Sequence, residues 1–135
     1  EAQDGAAPRA GSPAEPPVIN TETLRHLQEL GSDASFLKKL CSVFFADNAL
    51  LLGRMEAAVA ARNFGEFRSQ VHALKGSSTS MGTDRLRRLC TQMDACADGE
   101  LRLQGPKVLR MFSDELAAAR RELDRYLLEK QQSAT

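Results

Sequence analysis

From about residue 21 to residue 127, apolar side chains recur every three or four positions. Between residues 64 and 81 the pattern runs through Phe64, Phe67, Val71, Leu74 and Met81. Because an α-helix turns once in about 3.6 residues, this spacing places all of these side chains on one helix face. Only 5% of the chain is aromatic and runs of β-branched residues are few, so strands are disfavoured. The pattern therefore predicts an all-α fold.

Helix caps and helix breakers divide this pattern into one short helix and four longer ones. The short helix is predicted to start after a cap at Asn20 or Thr21 and to end at Gly31. The longer helices are predicted at about 36–62 after a cap at Ser32 or Asp33, at 64–81 before Gly82, from a cap at Thr83 to a break at 97–100, and from Pro106 to about 127. Four such segments joined by short loops indicate an antiparallel four-helix bundle with a short extra N-terminal helix.

The composition of the chain changes near residue 20 and again near residue 130. All but one of the five prolines lie in the first 17 residues, among many alanines and glycines. Such a segment has too little apolar surface to fold. We therefore predict a flexible Pro/Ala-rich interdomain linker at 1–20, the helical bundle at 21–130 and a disordered C-terminal tail at 131–135. This arrangement is typical of the last module of a larger protein.

Charge and cysteine content exclude several classes of function. The 18 basic and 18 acidic residues balance, whereas proteins that grip nucleic-acid phosphates need a strongly basic surface. No apolar run approaches the roughly 20 residues that span a bilayer. The odd set of three cysteines, Cys41, Cys90 and Cys96, is typical of free thiols in a reducing compartment. These features predict a cytoplasmic domain that binds neither nucleic acid nor a membrane.

His72 lies outside the apolar face of the helix predicted at 64–81. Its neighbours at steps of three and four residues are Arg68, Lys75 and Gly76. A glycine inside a helix costs about 1 kcal/mol relative to alanine, so Gly76 indicates that something approaches the helix backbone closely. Two plainer explanations stay open at this point. His72 could be an ordinary solvated side chain, and Gly76 could admit another helix of the same bundle.

The run His72-Ala73-Leu74-Lys75-Gly76-Ser77-Ser78, followed by Gly82 and Leu86, resembles the signature of histidine-containing phosphotransfer (HPt) domains. The resemblance implies that His72 accepts a phosphoryl group from the aspartyl phosphate of a receiver domain and passes it to the aspartate of another receiver. Lys75 would be the charge partner of the phosphate, and Gly76 would leave clearance for the docking receiver. Further binding residues that we expect on this basis are Arg68, Ser77, Ser78, Thr79, Gly82 and Arg85.

The linker and the position of the module resemble the C-terminal HPt domains of bacterial hybrid sensor histidine kinases. The resemblance implies receiver partners in the same chain, in a separate response regulator, or in both. It also implies that an upstream region could anchor the parent protein in the inner membrane. We expect the Mg²⁺ ion of the reaction to be bound by the receiver, and this domain to bind no metal and no cofactor.

The chemistry of the residues supports this role independently. A free imidazole has a pKa of about 6.5 and is mostly a neutral nucleophile at cellular pH. Phosphoryl transfer depends mainly on positioning and charge neutralisation, which a lysine one turn away can provide. The chain has no G-x-x-x-x-G-K-[ST] loop and no kinase glycine loop. We therefore expect a phosphocarrier without an ATP site, with any kinase activity carried by the parent chain.

Two other functions fit parts of the sequence. The first is a non-catalytic helical adaptor that binds receivers or other signalling domains through an apolar groove around Phe64 and Phe67. The second is a haem or metal site formed by His72 and Met81, which the lack of a C-x-x-C-H motif disfavours. His26, the other histidine, has no lysine and glycine after it and is expected to be a surface or packing residue.

Overall fold

The computed structural model describes residues 15–31 and 35–133 and contains five helices in those ranges. They are α1 (Thr21–Leu30), α2 (Phe36–Ala60), α3 (Phe64–Met81), α4 (Asp84–Asp94) and α5 (Asp98–Ser133). α3 packs between α2 and α4, α5 closes the bundle against α2 and α4, and α1 lies against α2 and α3. The predicted all-α four-helix bundle with a short extra N-terminal helix is confirmed.

The apolar face of α3 forms the centre of the core. Phe67, Val71 and Leu74 are each 0% exposed, as the three- and four-residue spacing predicts. Across the bundle, the ring of Phe67 meets the ring of Phe112 of α5 edge to face, with 6.3 Å between the centroids. This packing fixes the rotation of α3 about its axis and therefore determines which of its side chains face outward.

Replacing Leu74 with alanine is expected to lower the free energy of unfolding by about 2–5 kcal/mol, because it leaves a cavity in a fully packed core. Urea or thermal unfolding followed by circular dichroism measures the change. Ala73→Gly, an exposed change at the next position of the same helix, serves as the control and should cost only about 1 kcal/mol. A near-neutral Leu74→Ala would show that the assigned face of α3 is wrong.

The helix caps agree with the predictions only in part. The side chain of Asn20 caps α1 by accepting hydrogen bonds from the N–H groups of Glu22 and Thr23, each at 3.1 Å. Thr83 occupies the N-cap position of α4, but its side chain makes no cap hydrogen bond. Its buried hydroxyl instead donates to the carbonyl of Ser78 at 3.4 Å. The other predicted caps, Ser32 and Asp33, lie outside the described residues.

The last helix begins earlier than the sequence predicts. α5 starts at Asp98 and contains Pro106 in its interior, so the prediction that Pro106 opens this helix is wrong. The break that we predicted at 97–100 is present, but it lies at residues 95–97. Proline removes a backbone donor and usually kinks a helix. Here Leu101 and Val108, which are 0% and 5% exposed, anchor the turns before and after Pro106 in the core. Packing of both halves therefore overrides the local preference for a helix start.

The N-terminal segment packs on the bundle from residue 15 onward. Ile19 lies against the core, and the N–H of Asn20 donates to the carbonyl of Gly82 at 2.7 Å. Residues 15–20, which we expected in a flexible linker, therefore contact the bundle. α5 likewise continues through residues 131–133, which we expected in a disordered tail. The rest of the predicted linker, 1–14, and the last residues of the tail, 134–135, lie outside the described residues.

The three cysteines are free thiols, and two of them are part of the core. Cys41 and Cys90 are buried, as expected for small apolar residues, and Cys96 is half-buried near the end of α4. Burial raises the pKa of the Cys41 thiol to about 11, with a further increase from the charge of Asp124, so this thiol is protonated and unreactive.

Within residues 15–31 and 35–133, none of the helices combines the length and the hydrophobicity that a bilayer span requires.

Candidate functional site

His72 lies on the outward surface of α3. Its side chain is exposed, whereas Val71 before it and Leu74 after it are fully buried. One residue turns a helix by about 100°, so the buried pair requires His72 to face solvent. The predicted orientation of the imidazole is confirmed, and the ring is available to another molecule.

Gly76 leaves an open space one turn beyond His72. A Cβ atom built on Gly76 meets nothing within 4 Å outside its own helix backbone. The possibility that Gly76 admits another helix of this bundle is therefore wrong. Because glycine has no side chain, the α3 backbone is uncovered beside the imidazole, and a second molecule can approach it closely.

Hydroxyl side chains after Gly76 donate hydrogen bonds to the carbonyls of the preceding turn. The donor and acceptor pairs are Ser77 and Leu74 at 3.1 Å, Thr79 and Lys75 at 2.9 Å, and Ser80 and Gly76 at 3.3 Å. Such bonds compete with the backbone ladder and soften a helix locally. The turn that follows His72 therefore combines an uncovered backbone with residues of low helix preference.

Lys75 extends from α3 toward α4. Its side chain is half-buried, and its charge reaches Cys90 of α4. Burial raises the pKa of the Cys90 thiol to about 12, while the positive charge of Lys75 acts in the opposite direction. Lys75 lies three residues after His72, on the adjoining part of the α3 surface. A cation is therefore present beside the imidazole, on the side of the site that borders α4.

Arg68 connects α3 to the loop between α4 and α5. Its guanidinium donates to the carbonyl of Cys96 at 2.7 Å and forms an ion pair with Asp98 at 2.6 Å. Arg68 lies one turn before His72, as predicted, but these contacts hold its charge against the loop. Its main structural effect is to tie the first turn of α5 to the helix that carries His72.

Three predicted binding residues are not part of the surface around His72. Ser78 is 0% exposed, and Gly82 is buried at the end of α3. Gly82 adopts a φ of 73°, and a Cβ there would lie 2.9 Å from the Cβ of Thr23, so its role is to end α3 against α1. Arg85 donates to the carbonyl of Pro16 at 3.2 Å and pairs with Glu15 at 3.5 Å. For the buried Ser78 and Gly82 the expectation of a binding role is wrong, whereas for the partly exposed Arg85 it stays a prediction.

Thr79 is exposed and lies on the same side of α3 as His72 and Lys75, so its binding role stays a prediction. Ser77 is half-buried and faces α2 instead, where its hydroxyl donates to the Oδ1 of Asn48 at 3.2 Å. Sequence reasoning missed Asn48. A signal was present, because the apolar stripe of the second helix runs from Phe44 to Leu51 with a gap, and Asn48 occupies that gap.

The alternative sites are not formed. Phe64 and Phe67 are 6% and 0% exposed, so the apolar groove expected for an adaptor does not exist at these rings. Met81 is buried, and it lies nine residues from His72, about 13 Å along the helix axis, so the two side chains cannot share a metal or a haem. His26 is exposed on α1, as expected for a surface residue.

Comparisons with known proteins agree with this geometry. A family model described as the Hpt domain matches residues 39–127. Histidine-containing phosphotransfer protein 2 of Arabidopsis thaliana is 32% identical over 112 residues, which cover 80% of this chain and 71% of that protein.

Two solved structures are similar to the bundle. Histidine-containing phosphotransfer protein B of Pseudomonas aeruginosa aligns with a TM-score of 0.73 at 26% identity, over 84% of this chain and 96% of that one. A histidine-containing phosphotransfer protein of Medicago truncatula shares the fold with a TM-score of 0.71 at 24% identity, over 87% and 81% of the two chains. With its four-helix bundle, its exposed His72 and a family match across most of its length, the chain belongs to the Hpt family, whose members carry phosphoryl groups on histidine in phosphorelays.

Proposed function

We propose that His72 is the phosphorylated residue of this phosphocarrier. A neutral imidazole nitrogen attacks the phosphorus of a receiver's aspartyl phosphate, a P–N bond forms, and the P–O bond to the aspartate breaks. The aspartate leaves as a carboxylate, and the proton on the other ring nitrogen exchanges with solvent. In the onward step a second receiver's aspartate is the nucleophile and His72 is the leaving group.

The observation that carries this proposal is the open surface above Gly76, beside the exposed imidazole. In-line transfer requires the donor oxygen, the phosphorus and the acceptor nitrogen to align, so the two proteins must approach closely. A side chain at position 76 would stand in that path, and none is present. The magnesium ion and the carboxylates that bind it would be supplied by the receiver.

An apolar pair on α2 adds to the surface that a receiver can cover. Val43 and Leu50 are 58% and 62% exposed, and a spacing of seven residues places them on one outward face of α2. Since α2 packs directly against α3, we expect a receiver docked over Gly76 to bury this pair. Its acidic phosphorylation pocket would then meet the cation of Lys75, which favours association at low salt.

A transfer assay tests this function. The purified domain is incubated with a ³²P-labelled phosphorylated receiver, and label on the domain is followed in acid and in base. Phosphohistidine is acid-labile and base-stable, so we expect label that acid removes and base retains. A domain that binds several receivers but never acquires such label would be an adaptor, the alternative function, in which His72 plays no chemical part.

Lys75→Ala is expected to slow transfer about tenfold, because a hydrogen bond to a charged group contributes about 1.5 kcal/mol or more. The fold should be retained, since substitutions at partly exposed positions usually change stability by about 0.5 kcal/mol or less. Single-turnover rates are measured at low and at high ionic strength. Lys107→Ala, an exposed lysine on α5, is the matched control. Equal rates for the two variants would contradict the role of Lys75 as charge partner.

A further inference from the structure

Asn48 is a buried polar residue at the contact between α2 and α3. It is 0% exposed, and its Oδ1 accepts the hydrogen bond from Ser77 at 3.2 Å. Among the described residues, its Nδ2 has no hydrogen-bond partner. The other buried residues of α2 are all apolar: Leu37, Cys41, Phe44, Met55 and Ala58. Asn48 is therefore the one polar residue among the buried residues of α2.

The stability of the core does not account for Asn48. A buried N–H without a partner is unfavourable, and an apolar side chain of similar size would avoid that cost. The single bond it makes is also shared, because the Ser77 hydroxyl has one proton and lies 3.1 Å from the carbonyl of Leu74 as well. In some proteins a buried polar residue that weakens a core fixes the register of two helices instead.

Asn48 contacts α3 at Ser77, close to the proposed phosphorylation site. The register of α2 against α3 therefore bears on function. Ser77 directly follows Gly76, in the turn where hydroxyls bond to the carbonyls of Leu74, Lys75 and Gly76. Gly76 and Ser77 give this turn a low intrinsic helix preference. The Asn48–Ser77 bond is the side-chain hydrogen bond that attaches it to α2, the helix that carries the exposed Val43 and Leu50.

We infer that Asn48 and Ser77 are positioning residues for phosphotransfer, which rests on the proposed role of His72. Their bond holds the Lys75–Ser77 turn in one register against α2. A receiver that docks on α2 and above Gly76 therefore meets the imidazole at a fixed distance and angle. Neither residue touches the phosphoryl group, and their effect reaches the reaction only through the placement of His72.

The test measures single-turnover transfer from a labelled phosphorylated receiver across a range of receiver concentrations. For Asn48→Ala and Ser77→Ala we expect the maximal rate to fall about tenfold or more, as misplacement of reacting groups does, with an unchanged half-saturating concentration. Asn48→Ala also removes the unpaired N–H, which offsets part of the cost of the cavity that the smaller side chain leaves. The conservative Ser77→Thr keeps a hydroxyl and is expected to restore most of the rate.

The matched control is Ser80→Ala, which removes a hydroxyl bond to the carbonyl of Gly76 within α3. If Ser77→Ala unfolds at the assay temperature, the double variant Asn48→Ala/Ser77→Ala replaces it, because that variant buries no unpaired amide. Rates equal to the control, with only thermal stability altered, would overturn the positioning role. Wild-type protein that never forms phosphohistidine would instead refute the proposed function, so the two failures are distinguishable.

Discussion

Replacing His72 with glutamine is expected to abolish phosphate acceptance and to leave the melting temperature almost unchanged. Glutamine lacks the ring nitrogen that forms the P–N bond, so the acid-labile label should fall to background. The side chain at position 72 is exposed, and substitutions at such positions rarely change the free energy of unfolding by more than about 0.5 kcal/mol. Circular dichroism and the labelled transfer assay measure the two effects on the same sample.

His26→Gln is the matched control for this experiment. The chain contains two histidines, both exposed on helices, and only His72 has Lys75 and Gly76 in the following turn. His26→Gln should therefore retain full labelling. Label that persists in His72→Gln and disappears in His26→Gln would show that His26, and not His72, accepts the phosphoryl group. A large loss of stability in His72→Gln would show that the imidazole supports the core.

The features that the sequence predicted correctly depend on local periodicity. The spacing of Phe67, Val71 and Leu74 determines the buried face of α3, and once that face is known the outward position of His72 follows. The open space at Gly76 could be predicted for the same reason. A residue nearly opposite the buried face has no neighbouring helix in a four-helix bundle, so Gly76 had to be open once the phase of α3 was correct.

The features that the sequence did not predict depend on contacts between distant segments. Arg68 forms an ion pair with Asp98, 30 positions later in the chain, and no local sequence pattern predicts that pairing. Pro106 was assigned to a helix start by its backbone chemistry, yet packing on both sides keeps it inside α5. Ser78 lies four residues after Leu74 and three before Met81, so the spacing places it on the buried face of α3, whereas the family resemblance gave it a binding role. Its complete burial shows that the spacing was the better guide.

Gly76→Gln is expected to reduce the transfer rate about a hundredfold without touching His72. The new side chain would occupy the space where a receiver's aspartyl phosphate comes into line with the imidazole, and a displacement of about 1 Å can cost that much in rate. The fold should be at least as stable as the wild type. Glutamine favours a helix over glycine by several tenths of a kcal/mol, and nothing within 4 Å obstructs a Cβ at this position.

Two further variants separate obstruction of docking from a general effect of helix stiffening. Gly76→Ala adds only a methyl group, so it should stabilise the domain by up to about 1 kcal/mol and keep much more of the transfer rate than Gly76→Gln. Gly53, which is equally open inside α2, controls for stability, since Gly53→Gln should raise the melting temperature by a similar amount.

Receiver affinity and single-turnover rate are then compared for wild type, Gly76→Ala and Gly76→Gln. If side-chain size at position 76 governs both quantities, the open surface is the docking site. A Gly76→Gln domain that binds and accepts phosphate at the wild-type rate would contradict that role, because a bulky side chain would then share the space with the docked receiver.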